Sequence, residues 1–335
     1  MKTLTKESDY KDLIVSVGTL LGKARKDVYY SVNNILVKTY WEIGHRIVEF
    51  EQKGKEKAEY GSSILTKLSI DLTKMYGKGF SDYSLRKMRL FYILYPKWAT
   101  VSPKLSWSHY RLILRLDEEL ARNFYVKEIE TEGWSVRELD RQINSQLFER
   151  LALSKNPKGV LKLANKGNII ENAVDIIKDP YILEFLGLEE KSEYSENELE
   201  QKIIDHLEKF LLELGKGFTF VARQQRITLE DEHFYIDLVF YNRLLRCFVI
   251  IELKIGKLTH KDLGQLQMYV NYYDRKIKQK EENPTIGILL CADKKEAVIQ
   301  FTLPEQNKQI FASKYKLYLP NKKELEERVR KILKG

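Results

Sequence analysis

The chain has 335 residues, a length that suits two domains of ordinary size. Hydrophobic residues make up 43% and charged residues 31% of the chain, and this composition excludes wholesale disorder. The net charge of +9 favours a polyanionic partner only modestly, because many basic proteins bind none. No apolar run approaches the ~18 residues that span a bilayer, so we expect a cytoplasmic protein with no membrane partner. The two cysteines and five histidines lack zinc-ligand spacing, so any metal has to be held by oxygen. Phosphate-loop, dinucleotide-binding and GxSxG motifs are absent, which argues against an ATPase, a dehydrogenase or a serine hydrolase.

Apolar residues recur at intervals of three and four from about residue 8 to 150, as at Tyr40, Ile43 and Ile47. We therefore expect an all-helical N-terminal domain over residues 1–152. Ser81 and Ser135 have the positions of helix N-caps.

One segment of this domain, "LTKLSIDLTKMYGKGFSDYSLRKMRLFYILYP", predicts a helix, a glycine turn and a second helix. That is the outline of a helix-turn-helix, whose second helix would carry Arg86, Lys87 and Arg89 into a nucleic-acid groove. The alternative is plain bundle packing with a solvated basic face.

Residues 153–194 read as a polar connector with one short helix at "DPYILEFLGL". From 195 to 335 the pattern becomes α/β. A helix opens on a capping box of Ser195 and Glu198 and ends at Gly215. Strands follow at "FTFVARQQRITL", "HFYIDLVFY" and "RCFVIIELKI", then a helix at "HKDLGQLQMYVNYYDRK" and strands at "TIGILLCA" and "KYKLYL". The overall class is α+β.

Two acids stand in strands that otherwise appear buried, Asp237 and Glu252. An isolated charge there costs several kcal/mol unless it is paired or bound to a metal. Glu252 and Lys254 share one face of their strand, and Leu253 points to the other. A hairpin with an even-numbered loop puts Asp237 on the same face as Glu252 and Lys254, so the prediction depends on the strand register.

Two carboxylates beside an ammonium suit Mg²⁺, with Mn²⁺ as a substitute, and the main-chain carbonyl of Leu253 could add a ligand. Lys254 would assist a metal-activated water or offset charge on the scissile phosphate. This is the chemistry of phosphodiester hydrolysis. The alternative is a buried Asp, Glu and Lys network that only satisfies itself.

The constellation resembles the PD-(D/E)XK nuclease superfamily, whose core is helix, three-stranded meander, helix and strand. The segments "ELGKGFTFVARQ", "FYIDLVFYNRLLRCFVIIELKIG", "GQLQMYVNYYD" and "PTIGILLCADK" are similar to its YhcG-like bacterial branch, and "TYWEIGHRI", "YGKGFS", "LSWSHY" and "WSVRELDRQI" to the helical N-terminal domain of that branch. The resemblance implies a restriction-endonuclease-like C-terminal domain with Asp237 and Glu252 as metal ligands and Lys254 as the catalytic lysine. Ile236 stands where the superfamily motif has proline.

Glu200 lies on the rim of the apolar face of its helix, and we expect it to be the acid that the superfamily often contributes from there; the alternative is a solvent-exposed glutamate. Gln265 and Tyr269 are one helical turn apart and could reach the site, with an accessory polar role for Gln265 implied by the resemblance. An ordinary surface position is the alternative for Gln265. Arg223 and Gln224 could contact phosphate from the neighbouring strand.

The predicted function is a Mg²⁺-dependent nuclease, with DNA as the expected substrate by analogy with the superfamily. Two alternatives stay open: a catalytically silent nucleic-acid-binding module, and an interaction subunit of a restriction or defence complex. Two assemblies also stay open: a homodimer, which two cuts in a duplex would favour, and a larger defence or restriction complex.

Overall fold

The computed structural model of the chain describes residues 2–53, 60–188, 194–319 and 321–334. The chain divides into two compact units, Met1–Asp140 and Arg141–Gly335. The predicted domain limits at 152 and 195 stay predictions, and part of the predicted connector, residues 189–193, lies outside the described residues. Among the described helices, none is both long and apolar enough to cross a membrane.

The first unit is helical in its described part. Its helices are α1 (Lys2–Lys53), α2 (Tyr60–Tyr76), α3 (Asp82–Leu94), α4 (Trp107–Ile113) and α5 (Glu119–Glu132), followed by α6 (Val136–Asn144), which crosses into the second unit.

Close approach of α1 to α3 depends on a glycine. A Cβ atom added at Gly44 would lie 2.0 Å from the carbonyl oxygen of Met88, so no side chain fits there. Ile47, Leu85 and Met88 are buried together at this contact. The C-terminal half of α1 is therefore fixed to the unit through α3.

The predicted helix pair is present as α2 and α3, joined by a turn in which Gly77 and Gly79 have positive φ. The hydroxyl of Ser81 accepts from the amide of Ser84 and caps α3, as predicted. Ser135 and Glu138 exchange hydrogen bonds as the predicted N-cap pair at the start of α6.

The second unit contains a six-stranded mixed sheet with helices on both faces. Its further elements are α7 (Leu147–Ala152), α8 (Pro157–Lys166), β1 (Tyr181–Ile182), α9 (Glu196–Asp205), α10 (Leu207–Leu214), β2 (Phe218–Leu229), β3 (Glu232–Asn242), β4 (Cys247–Lys257), α11 (His260–Tyr272), β5 (Ile286–Asp293), α12 (Glu296–Thr302), β6 (Ile310–Lys316) and α13 (Lys322–Lys334).

The strand order is β1-β6-β5-β4-β3-β2. Strands β2, β3 and β4 form an antiparallel meander, and β4, β5 and β6 run parallel. Asn242 pairs with Cys247, so the β3–β4 loop spans 243–246 and has the predicted even length. Leu199 and Phe210 pack on one face of the sheet, whereas Leu263 and Leu266 of α11 pack on the other.

Three predicted elements differ from the structure. The helix predicted from 195 to 215 is broken at His206, whose backbone (φ −120°, ψ 30°) leaves the helical region, giving α9 and α10. The segment predicted as a short helix at "DPYILEFLGL" is a 3₁₀ turn preceded by the two-residue strand β1, because Tyr181 pairs with Tyr315 of the neighbouring strand β6. Strand β6 lies earlier than "KYKLYL", because its apolar residues pair with β5 from Ile310 onward.

Candidate active site

The site lies at a fork in the sheet, where the antiparallel ladder between β3 and β4 ends. The last paired residues are Leu238 and Ile251, and one step beyond them Asp237 faces Glu252. Here side chains replace the ladder: the amide of Asp237 donates to Glu252 Oε1 (3.1 Å), and the amide of Leu253 donates to Asp237 Oδ2 (2.9 Å). The fork thus satisfies two amides that the ladder no longer pairs, and it holds both carboxylates between the strands.

Both carboxylates have raised pKa values. Burial raises the pKa of Asp237 to about 6, with the charge of Glu200 adding to the shift and the amide of Leu253 opposing it. Glu252 is only 8% exposed, and its pKa is raised well above the usual value, first by burial and then by the charge of Asp237. Two buried acids that repel each other favour the binding of a positive charge.

A third acid lies beside this pair. Glu200 of α9 is 4% exposed, which excludes the solvent-exposed alternative. The amide of Gln224 bridges the two elements, donating to Glu200 and to Asp237 Oδ1 (3.1 Å). Gln224 has a φ of 45°, which is an unfavourable backbone conformation inside a strand. In this conformation its side chain contacts both Glu200 and Asp237. Arg223, which is more exposed, lies 3.4 Å from Glu200 and donates to Gln201.

Lys254 follows Glu252 on the same strand but bonds to other acids. Its Nζ lies 2.9 Å from Glu196 Oε1 and 3.8 Å from Asp262 Oδ1. The hydrogen bond with Glu196 is the largest cause of the raised pKa of Lys254, and Asp237 contributes least. The ammonium is therefore fixed by the first turns of α9 and α11, and Asp237 interacts with it only weakly through charge.

The two residues predicted on α11 are joined to each other. Gln265 is exposed, and its amide donates to the hydroxyl of Tyr269 (2.7 Å). Tyr269 is 1% exposed, and its hydroxyl donates to the carbonyl of Tyr235 (3.1 Å), two residues before Asp237. Burial, followed by the charge of Glu252, raises the pKa of Tyr269 to about 12. Tyr269 thus holds α11 against β3, and its burial does not favour direct contact with nucleic acid.

The basic residues of α3 are engaged in contacts within the helical unit. Arg86 pairs with Asp82 (2.5 Å) and Arg89 with Glu51 (2.7 Å). The ammonium of Lys87 donates to the carbonyl of Leu114 (3.4 Å).

The donor set at the fork fits a hard divalent cation. Among the described residues no cluster of three or more His, Cys, Asp or Glu side chains is arranged to hold a metal. Magnesium does not require one, since one or two carboxylates with water and substrate oxygens complete its octahedron. Asp237 and Glu252 supply such a pair, and a bound cation would offset both the burial and the neighbouring acidic charges that raise their pKa values.

A helix, an antiparallel meander, a helix and a parallel strand, with paired acids on the central strands, define the restriction-endonuclease-like class of PD-(D/E)XK domains. Residues 174–330 match the family described as the YhcG PDDEXK nuclease domain, and residues 16–150 match the DUF1016 N-terminal domain. The chain is 38% identical to the "Putative nuclease YhcG" of Escherichia coli (strain K12), over 94% of this chain and 92% of that protein. The chain belongs to the YhcG nuclease family, as the sequence predicted.

Solved structures give a weaker likeness. A repair endonuclease from Pyrococcus abyssi is 20% identical, with a TM-score of 0.26 over 39% of this chain and 50% of that chain. The complex of EndoMS with dsDNA2 is 16% identical, with a TM-score of 0.27 over 40% of this chain and 51% of that one. The chain spans about half the length of these two structures.

Sequence reasoning missed the acids that hold Lys254 and the inward position of Gln224. Glu196 could have been found, because it lies four residues before Glu200 and therefore on the same side of α9. Asp262 had a visible role only as the N3 residue of the capping box of Thr259. The inward position of Gln224 depends on its positive φ, which a glutamine does not signal.

Proposed function

We propose that this protein is a divalent-metal-dependent nuclease that hydrolyses phosphodiester bonds of DNA, with Mg²⁺ as the metal and Mn²⁺ as a substitute. The observation that carries the proposal is the pair of buried carboxylates at the β3–β4 fork, Asp237 and Glu252, whose pKa values are both raised. A structural network would not need two acids that repel each other. The family assignment and the net charge of +9 agree with a nucleic-acid substrate.

In this proposal Asp237, Glu252 and the carbonyl of Leu253 hold the ion. A bound cation would lower the pKa of water and neutralise charge on the scissile phosphate. Gln224 orients Asp237 by donating to its Oδ1, and it ties Glu200 to the same site. Glu200 thereby contributes negative charge that strengthens cation binding.

Lys254 has a separate proposed role. Its ammonium, fixed by Glu196 and Asp262, presents positive charge to a non-bridging phosphate oxygen next to the carboxylate pair. Gln265 keeps an accessory polar role, anchored by Tyr269. We expect Lys254→Met to lower the cleavage rate on the order of 100-fold, the scale of removing one preorganised donor.

Cleavage assays test the proposal. Supercoiled plasmid, linear duplex, single-stranded DNA and RNA are incubated with the full chain and Mg²⁺ or Mn²⁺. The proposal predicts metal-dependent cutting of DNA that Asp237→Asn and Glu252→Gln abolish. The matched controls Asp231→Asn and Glu208→Gln change exposed acids of the same unit and should cut normally. Equal cutting by the wild type and by Glu252→Gln would exclude the proposed site.

The helical domain, residues 1–152 in our proposal, supplies nucleic-acid or partner binding, and residues 195–335 form the nuclease domain. Arg86, Lys87 and Arg89 are the proposed phosphate contacts of α3, with Arg223 a further candidate beside the site. Arg86→Gln with Lys87→Gln should weaken DNA binding uniformly across sequences and reduce the salt slope by about 1 for each lost phosphate contact. An unchanged slope would remove α3 from the interface.

A further inference from the structure

The N-terminal half of α1 carries an apolar face that its own unit leaves exposed. Ile14, Leu21, Val28 and Ile35 repeat every seven residues and are 54%, 54%, 63% and 65% exposed. Surface side chains of this size are usually scattered singly. Four of them in register on one helix form a continuous stripe that needs a partner.

The intervening positions complete a heptad pattern. If the four residues above occupy the a positions, the d positions are Tyr10, Val17, Ala24 and Ser31, all exposed. We call the a and d residues together the heptad face. Its small d residues, alanine and serine, permit close approach of a second helix. Leu13 and Leu20 widen the face on one side, both more than half exposed.

The packing of α1 on its own unit does not cover this face. Among residues 9–52 of α1, whose burial is described, the buried positions are Val37, Gly44 and Ile47, all in the C-terminal half. At ~100° per residue these three lie on roughly the opposite side of the helix from the heptad face. The side of α1 that contacts α3 therefore lies opposite the heptad face, which points away from α3.

We propose that the heptad face binds the same face of a second copy of this chain, so that the protein is a homodimer joined by a two-helix coiled coil of α1. A seven-residue repeat fits a partner with the same repeat, and a second copy supplies one with two-fold symmetry. The face extends over ~39 Å, since each of its ~26 residues rises ~1.5 Å. Six large apolar side chains lie on the heptad face, and Leu13 and Leu20 bring the number to eight. If each buries roughly 100 Å², the contact removes roughly 800 Å² per copy, the area of a standard stable interface.

The mass of the full chain in solution tests this proposal. Light scattering after size-exclusion chromatography at about 10 μM should give twice the mass of one 39.6 kDa chain. Leu21→Glu combined with Val28→Glu places charges in the a layer and should halve the measured mass. Both side chains are exposed, so the variant should keep its fold, which far-UV circular dichroism checks. Ser16→Glu combined with Thr19→Glu is the matched control, because it adds the same charge outside the heptad face and should leave the dimer intact.

Two results would overturn the proposal. A wild-type mass of one chain would mean that the face is not a dimer interface, whatever else covers it. A dimer that survives Leu21→Glu and Val28→Glu unchanged would assign dimerisation to another surface. Nuclease activity is not part of the readout, so this test stands or falls separately from the proposed function.

Discussion

The buried carboxylate pair predicts that removing a charge stabilises the metal-free protein. Asp237→Asn keeps the size of the side chain and removes its ionisation. The folded-state pKa of Asp237 is raised from 3.8 to about 6, so between these values the folded chain holds a proton that the unfolded chain releases. Stability therefore falls as pH rises through this window, and the penalty is complete once the pH is well above 6.

The size of the effect follows from the shift. At about 1.36 kcal/mol for each pKa unit, the ionised group destabilises the folded state by about 3 kcal/mol at about pH 7.5 and by about 1 kcal/mol at about pH 4.5. The variant lacks this titration. We therefore expect the stability difference, Asp237→Asn minus wild type, to become at least about 2 kcal/mol more favourable to the variant between these two pH values, because the variant also removes the Asp237 charge that raises the pKa of Glu252. Any fixed cost of the new amide cancels in that comparison.

Urea unfolding in EDTA, followed by far-UV circular dichroism, measures this difference. All four tryptophans lie in the first unit, so their fluorescence reports on the other part of the chain. Asp231→Asn, in the exposed turn between β2 and β3, is the control and should show no such pH-dependent gain. A constant difference between Asp237→Asn and wild type at both pH values would refute the argument that burial strains this carboxylate.

Three further results are expected. Glu213→Gln should lower the free energy of unfolding, measured in urea, by about 3 kcal/mol, because Glu213 and its partner Arg150 are both fully buried. The control Glu208→Gln changes an exposed residue of the same helix and should leave the free energy of unfolding almost unchanged. Burial raises the pKa of Glu213, but the charges of Arg150 and Lys178 outweigh it, so the pKa is lowered overall. The stabilisation by Glu213 is therefore fully present above pH 4.5 and is lost as pH falls through the folded pKa. The difference in unfolding free energy between wild type and Glu213→Gln should narrow in acid, and a difference that widens would contradict this sign. In unfolding followed by tryptophan fluorescence, Gly44→Ala should destabilise the first unit by more than about 1 kcal/mol, because the new Cβ clashes with the Met88 carbonyl. Gly22→Ala is the control, because it lies in open space on the same helix, and it should stabilise the unit by up to about 1 kcal/mol.

Local signals made most of the second unit predictable. The capping box of Ser195 and Glu198 is formed by residues three apart, and β2 has the predicted bounds, Phe218–Leu229. The shared face of Asp237 and Glu252 was predicted on the condition of an even loop, and the pairing of Asn242 with Cys247 meets that condition.

Features that depend on tertiary contacts could not be predicted from the sequence. Strand β1 has only two residues, and it is defined by the pairing of Tyr181 with Tyr315 of the neighbouring strand β6. The break at His206 lies inside an uninterrupted apolar period, with no glycine or proline to mark it. The partners of Lys254 come from two separate helices, α9 and α11, whose approach the sequence pattern does not reveal.

Binding of a divalent cation by the full chain tests the central claim most directly. Titration with Mn²⁺, with the free ion followed by electron paramagnetic resonance, should show one site in the wild type that Asp237→Asn and Glu252→Gln each weaken at least tenfold. Asp231→Asn should bind as the wild type does. Equal Mn²⁺ affinity in the wild type and in Glu252→Gln would contradict the assignment of the β3–β4 fork as the metal site.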